Sequence, residues 1–304
     1  MNNFQPKVSV IIPTYKRPDT LTRAIDSVLK QSYNNVEAIV VDDNNPDTEG
    51  RQLTEAVMEA YKDNPRVKYI KHPHNKNGSA ARNTGANSTD AEYVAFLDDD
   101  DEFLPNKIES QVERLESLGD DWGVCYSKYY NQNDNEKPVE GLERMEGDLY
   151  FPALCREISL VAGSNLLVRK KCFEKVGGFD ETFLRNQDHE FLTKVAKQYK
   201  IAYCDVPGLI VHGHAQGTTP KKDYEAIANK YIETFQKDID ALSIKEKKLF
   251  YRRINKQVFF FRIREHKDIK GAFKMIIKRE VKLIDAISIF WKRMINYIYR
   301  LCKR

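Results

Sequence analysis

No run of eighteen or more apolar residues occurs in the 304-residue chain, so no segment reads as a conventional membrane-spanning helix. The first residues, Met-Asn-Asn-Phe-Gln-Pro-Lys, lack the basic and apolar regions of a secretory leader. Five cysteines (Cys125, Cys155, Cys172, Cys204 and Cys302) are scattered without metal or redox spacing. They read as small core or surface residues of a chain kept in a reducing compartment. These absences set the expectation of a cytoplasmic location. Also missing are a Gly-x-Gly-x-x-Gly turn after the first strand and a P-loop anywhere. That argues against a nicotinamide dehydrogenase and a P-loop kinase.

Charge of one sign is scarce only locally. Residues 245–304 hold nineteen Lys and Arg against five Asp and Glu, a net +14, so the first 244 residues carry −10 of the total of +4. Such asymmetry suits a body that does chemistry and a tail that meets an anionic surface. At this length the chain can bury a large core as one domain or two.

What is present begins with alternating elements. Lys7–Pro13 is an apolar β-rich run, and Leu21, Ala24, Ile25, Val28 and Leu29 keep helical spacing, with Asp19 or Thr20 placed to cap. Strand-like Val36–Val41, a helix over Thr48–Lys62 and strand-like Val67–Ile70 follow. The order predicts an α/β fold, a mostly parallel Rossmann-like sheet flanked by helices. Further on, Val124–Tyr130 reads as a strand, Asn131–Gly147 as a polar loop or hairpin, and Ile158–Val168 as a loop entering a strand.

The densest chemistry lies in Tyr93-Val-Ala-Phe-Leu-Asp-Asp-Asp-Asp101. A short buried strand runs into four carboxylates, and the carboxyl ends of strands are where open α/β sheets bind ligands. Asp98 and Asp100 would share one side, with Asp99 opposite. Their hard oxygens suit Mg²⁺ or Mn²⁺ shared with phosphates. A solvated acidic turn is the plain alternative. An EF-hand is rejected: Phe103 stands where that loop needs glycine, and a strand precedes it.

Taken together, Val8-Ser-Val-Ile-Ile-Pro-Thr-Tyr-Lys-Arg, Ala24-Ile-x-Ser-Val-Leu-x-Gln-Ser-Tyr33, Val40-Val-Asp-Asp-Asn-Asn, Ala80-Ala-Arg-Asn-x-Gly85, Phe96-Leu-Asp-Asp-Asp-Asp, Gly177-Gly-Phe-Asp-Glu181 and Gln187-Asp188 resemble family 2 glycosyltransferases of the GT-A fold, as in bacterial surface-polysaccharide assembly. The resemblance covers roughly residues 7–219. It implies a GT-A domain over 1–219, its nucleotide-sugar half about 1–101 and its acceptor half about 102–219. Residues 220–304 remain as a basic helical extension. It further implies a nucleotide-sugar donor, usually a UDP-sugar, a divalent cofactor (Mn²⁺ or Mg²⁺), and transfer to a glycan or lipid-linked hydroxyl, commonly with inversion.

Carried over by motif, Pro13, Thr14 and Tyr15 would line base and ribose. Asp43 would contact the base with Asp42 beside it, and Arg82 would close over the nucleotide with Asn77 and Gly78 before it. Asp100 would be the direct metal ligand, Asp98 joining it, and Asp98 or Asp99 would face the ribose. Gly163 and Ser164 would lie near the diphosphate. Asp188 would be the general base, taking the acceptor's proton; the family's usual Glu-Asp pair is Gln187-Asp188 here. His214, with Thr218 and Thr219 behind it, would reach metal or diphosphate more readily than His212. Each residue has a plainer reading as a polar turn (Asp42, Asp43), a surface ion pair (Arg82), a helix cap (Asp188) or a structural histidine. His72, His74, His189 and His266 have no constellation around them.

In the tail, Tyr224–Ile239 and Ile244–Phe261 read as helices. Residues 281–304 carry an apolar stripe with basic flanks that would lie on a membrane surface, pack on the body, or pair with a second copy. No nucleic-acid motif accompanies the charge. Two other functions stay open: a sugar-nucleotide nucleotidyltransferase, against which the Pro13–Pro18 turn lacks a Gly-rich basic loop, and a non-catalytic nucleotide-sugar-binding scaffold.

Overall fold

The structure, a computed structural model, describes residues 5–133, 137–158, 160–213, 224–264, 268–278 and 280–287. Strands β1 (Val8–Thr14), β2 (Val36–Asp42) and β3 (Val67–Lys71) alternate with helices α1 (Pro18–Leu29), α2 (Glu49–Glu59) and α3 (Gly78–Asn87). Then come β4 (Tyr93–Phe96), β5 (Glu102–Phe103), α4 (Lys107–Glu116), β6 (Trp122–Gln132), β7 (Val139–Glu140), α5 (Tyr150–Leu154), β8 (Leu167–Arg169), α6 (Lys170–Lys175), α7 (Gln187–Gln198) and β9 (Lys200–His212). Helices α8 (Tyr224–Thr234), α9 (Gln236–Ala241), α10 (Ile244–Arg264) and α11 (Ile269–Ile277) follow.

The sheet runs β3-β2-β1-β4-β8-β6-β9-β5, with β7 on β6. The first four strands are parallel; β8 is antiparallel to β4 and β6, while β9 runs parallel to β6. The α/β expectation is met, with a sheet that is parallel on the nucleotide side and mixed beyond β4. Side-chain alternation explains the two cores. Val8, Val10 and Ile12 pack with Leu21, Ala24 and Ile25 of α1 and with Ile108 and Val112 of α4 on one face. Ile11, Ile39 and Val41 pack with Ala81 of α3 and Phe191 of α7 on the other.

Local details differ from the sequence reading. Helix α1 starts at Pro18, with Arg17 at the cap position in place of Asp19 or Thr20; proline is pre-set for the first helical position, where no amide hydrogen is needed. Thr48 does cap α2, accepting from the Arg51 amide. Helix α3 escapes the apolar pattern because it approaches the sheet too closely for large side chains. A Cβ on Gly85 would stand 2.3 Å from Ile11 Cγ2. The segment read as one helix over Tyr224–Ile239 is two, α8 and α9, parted at Phe235.

Two compact units result: Met1–Ala153 with Ile158–Ala215, and Leu154–Glu157 with Gln216–Arg304. Within the second, Tyr224 stacks on Phe261 at 3.7 Å between ring centres, and Arg156 lies 5.4 Å from the rings of both Tyr224 and Tyr231. No helix among the described residues is long and apolar enough to cross a membrane.

Candidate active site

Four parallel strands bring their carboxyl ends to one edge, and acidic residues collect there. Thr14 and Asp42 are register partners at the ends of β1 and β2, and Asp98–Asp101 follow β4. Ligand oxygens of Asp98, Asp100 and Asp101 all lie within 4.8 Å of one another. Asp101, absent from the sequence-derived site, joins the trio, while Asp99, 5% exposed, falls outside it. Burial pushes Asp99 up to about 7 against the pull of Arg17, and pushes Asp101 up to about 8 with help from the Asp98 charge.

Arg17, Arg82 and Ser164 brace this cluster. Arg17 pairs with Asp100 and, at 3.3 Å, with Asp99. Arg82 pairs with Asp98 and donates to the Gly78 carbonyl at 3.2 Å. Buried Ser164 donates to Asp101 Oδ2 at 2.5 Å and accepts from the Asp98 amide at 3.0 Å. Gly163 packs close to this pair: a Cβ there would stand 2.9 Å from Asp98 Oδ2 and 3.4 Å from Arg82 Nη2. Thus Arg82, Asn77–Gly78, Asp98–Asp100 and Gly163–Ser164, far apart in sequence, meet at one place. Three hard carboxylate donors at this spacing fit a divalent cation such as Mg²⁺ or Mn²⁺.

The carboxylates after β2 are engaged within the fold. Asp42, fully buried, accepts from the Asn44 amide and side chain and from Tyr69 Oη at 2.6 Å, and forms an ion pair with Arg51 Nε at 3.2 Å. Asp43 accepts from His72 Nδ1 at 2.7 Å, Asn75 Nδ2 at 2.7 Å, Lys76 N at 2.8 Å and Asn77 N at 2.9 Å. That matches the roughly four acceptor sites a carboxylate offers. Asp43 therefore shapes the loop into α3. Asn77, at φ 120°, then caps that helix through its side chain, accepting from the Ser79 and Ala80 amides. His72, passed over in the sequence, is 4% exposed and bridges Asp43 to Thr84 Oγ1 at 2.9 Å. The available signal was register: Asp42 pairs with Lys71, which sets Asp43 and His72 side by side one residue on.

Helix α7 is seated by an aromatic cluster. Phe191 stacks on Phe179 at 4.3 Å, and Phe96, just before the aspartates, meets Phe179 edge-on at 5.1 Å. Arg82 lies over the Phe179 ring at 5.6 Å. The turn before α7 is tied to α3 by Asn83, which accepts from the Phe179 amide and donates to its carbonyl and to Glu181. Gln187 reaches within 4.0 Å of where a Gly78 Cβ would be, so the start of α7 adjoins the start of α3. Asp188 is half-buried in the first turn. Asn186, at φ 60°, holds the cap position instead, and Asp188 makes no hydrogen bond or ion pair among the described residues. The cap reading of Asp188 is thereby corrected.

Pro13 and Tyr15 border the same edge, Tyr15 41% exposed with Lys16 over its ring. His212 ends β9 with its amide donated to Asp101 Oδ1 at 3.1 Å. His214, Thr218 and Thr219 lie outside the described residues.

The sequence profile of glycosyl transferase family 2 matches residues 9–177. The chain belongs to that family. Among curated relatives, an uncharacterized glycosyltransferase of Rickettsia bellii is 32% identical over 67% of this chain and 29% of its own length. A Campylobacter jejuni GalNAc(5)-diNAcBac-PP-undecaprenol beta-1,3-glucosyltransferase is 30% identical over 64% of each chain. This family 2 chain therefore spans less than two thirds of either relative. Among solved structures, Staphylococcus aureus TarS residues 1–349 in complex with UDP-GlcNAc superposes with a TM-score of 0.62 at 16% identity. It covers 84% of this chain and 72% of that one. That likeness establishes the shared fold, and the resemblance read from the motifs is met at the level of family and architecture.

Proposed function

We propose that the protein transfers a sugar from a nucleotide sugar, a UDP-sugar, to a hydroxyl of a glycan or lipid-linked acceptor in bacterial surface-polysaccharide synthesis, with inversion. The carrying observation is the convergence of Arg82, Gly163, Ser164 and three clustered carboxylates at the sheet edge, with Asp188 left unpartnered nearby on α7. The relatives named above support the reaction class, the Campylobacter enzyme a lipid-linked acceptor, and the TarS complex a UDP-sugar donor.

In this reading Pro13, Thr14, Tyr15 and the Asp43-shaped loop wall the base and ribose, with Asp42 bracing the loop from beneath and Asp99 on the ribose side. Asp98, Asp100 and Asp101 would hold Mn²⁺ or Mg²⁺, with His214 as a further ligand; the ion would offset the charge that grows on the departing diphosphate. Arg82 adds positive charge on the same side. Asp188 accepts the acceptor's proton as the acceptor oxygen bonds to the anomeric carbon and the bond to the UDP oxygen breaks, so no covalent sugar–enzyme intermediate forms. The site would work on the cytoplasmic side, with 220–304 as a separate helical region that meets the membrane face.

Nucleotide-sugar turnover over a donor panel tests the assignment. Asp188→Asn should lower kcat by roughly a thousandfold while UDP binding persists, and Asp100→Asn should weaken metal-dependent UDP binding as well. Near-normal transfer by either variant removes its residue from the mechanism.

A further inference from the structure

The C-terminal unit presents an apolar face that its own core does not use. Helix α11 turns Ala272 and Met275 inward, both buried, while Ile269, Phe273 and Ile277 stand 71%, 62% and 66% exposed. Spaced by four residues, those three share one side of the helix. The pattern resumes after Val281: Leu283, Ile284 and Ile287 are exposed, while Val281, Asp285 and Ala286 are buried. Of fourteen large hydrophobic residues exposed among the described residues, six fall between Ile269 and Ile287. Single exposed apolar residues are ordinary, but a concentration of this kind marks a contact surface.

Charge says what the surface contacts. Lys270, Lys274 and Lys278 each follow one of the three exposed residues of α11, about 100° further round the helix, and Lys282 precedes the second group. All four lysines are exposed, and none of their ammonium groups makes an ion pair or hydrogen bond among the described residues. The cores of protein–protein interfaces exclude lysine. A lipid surface accommodates it, since the stem lies along the apolar layer while the ammonium reaches the phosphates.

We propose that the Ile269–Ile287 face lies on an anionic bilayer, with Phe273 and the isoleucines inserted at the headgroup boundary and the lysine row on the phosphates. The net +14 of residues 245–304 adds long-range attraction to such a surface. The face lies partly ahead of the 281–304 segment singled out in the sequence, of which 288–304 lies outside the described residues. This inference rests on the C-terminal unit alone: it names the face by which residues 220–304 would meet a membrane and stands apart from the transfer chemistry.

The full chain is sedimented with vesicles of phosphatidylcholine alone and of phosphatidylcholine with phosphatidylglycerol, without any sugar donor. The expected result is binding to the anionic vesicles only, weakening steeply as salt is raised. The double variant Phe273→Ser/Ile277→Ser and the triple variant Lys270→Gln/Lys274→Gln/Lys278→Gln should each lose about tenfold in affinity. Circular dichroism should leave both folded, because every replaced side chain is exposed. Wild-type protein that stays in the supernatant with anionic vesicles overturns the proposal, as does undiminished binding by both variants. A concentration-dependent dimer in gel filtration, abolished by Phe273→Ser/Ile277→Ser, would instead place a second copy on the face and equally overturn it.

Discussion

At the scale of single residues, hydrogen-bond saturation decides more than identity does. Asp43 matches the family's base-contacting position, yet its carboxylate already accepts four N–H groups, one of them from His72. His72 Nδ1 meets Asp43 and Nε2 meets the Thr84 hydroxyl, so the ring ties the turn after β2 to α3. His72→Ala should therefore raise the donor KM about tenfold, the effect of losing one charge-assisted hydrogen bond, with kcat little changed. His72→Gln, which restores a donor, should recover part of the loss. A fall in kcat at constant KM would show that His72 acts elsewhere. The motif singled out Asp188; it did not single out His72, because the Asp43 partner that gives His72 meaning comes from the end of another strand. Asp101 was missed for a similar reason, since the groups that hold it, Ser164 and the His212 amide, come from 63 and 111 residues away.

At the scale of elements, apolar periodicity located β1, β2 and α1 because each buries a continuous stripe or nearly a full strand, and it also found α2 and the partly buried β3. It missed α3, whose sequence Gly-Ser-Ala-Ala-Arg-Asn-Thr-Gly-Ala-Asn carries no large apolar residue. That helix is held against β1 by closeness, with Gly85 almost touching Ile11 and Arg82 delivered to the far end beside Asp98. Gly85→Ala should destabilise the protein by about 1–3 kcal/mol through overpacking, and by moving Arg82 should also weaken UDP binding. Chemical denaturation with a titration of UDP checks both. An unchanged midpoint would mean that α3 can move off the sheet at no cost. The start of α7 illustrates the same limit: Asp188 is brought beside α3 by the phenylalanine cluster and by Asn83, none of which its local sequence reveals.

At the scale of the molecule, a buried polar hub ties the mixed part of the sheet together. Lys107, fully buried, donates to Ser127 Oγ, the Asn165 carbonyl and Asn165 Oδ1 at 2.8–3.2 Å. Burial pushes its pKa down to about 7. The unfolded chain, with an ordinary lysine pKa near 10.4, then binds more protons than the folded one between those limits. Stability should therefore rise with pH from about 7 toward 10 through this residue. Lys107→Met keeps the stem, and the Asn165 acceptors retain Ser127 and Gln111 as donors. Relative to that variant, wild type should gain thermal stability between pH 7 and pH 9.5. A difference that stays constant across this range would place the lysine's proton affinity at its ordinary value.

The sequence by itself determined the α/β class and the family, and it pointed to the acidic residues at the strand ends. Strand burial and motif spacing are local properties, and acidic residues at strand ends need only the direction of the chain to be placed. Tertiary structure alone decided which carboxylates meet and which are already engaged. It also turned the sheet from parallel to mixed at β8, set Lys107 in the core, and left Ile269, Phe273 and Ile277 outside it. Each of those outcomes depends on partners tens of residues away: hydrogen bonding is settled by which groups remain unpaired after packing, and exposure by which faces the core has no room to cover.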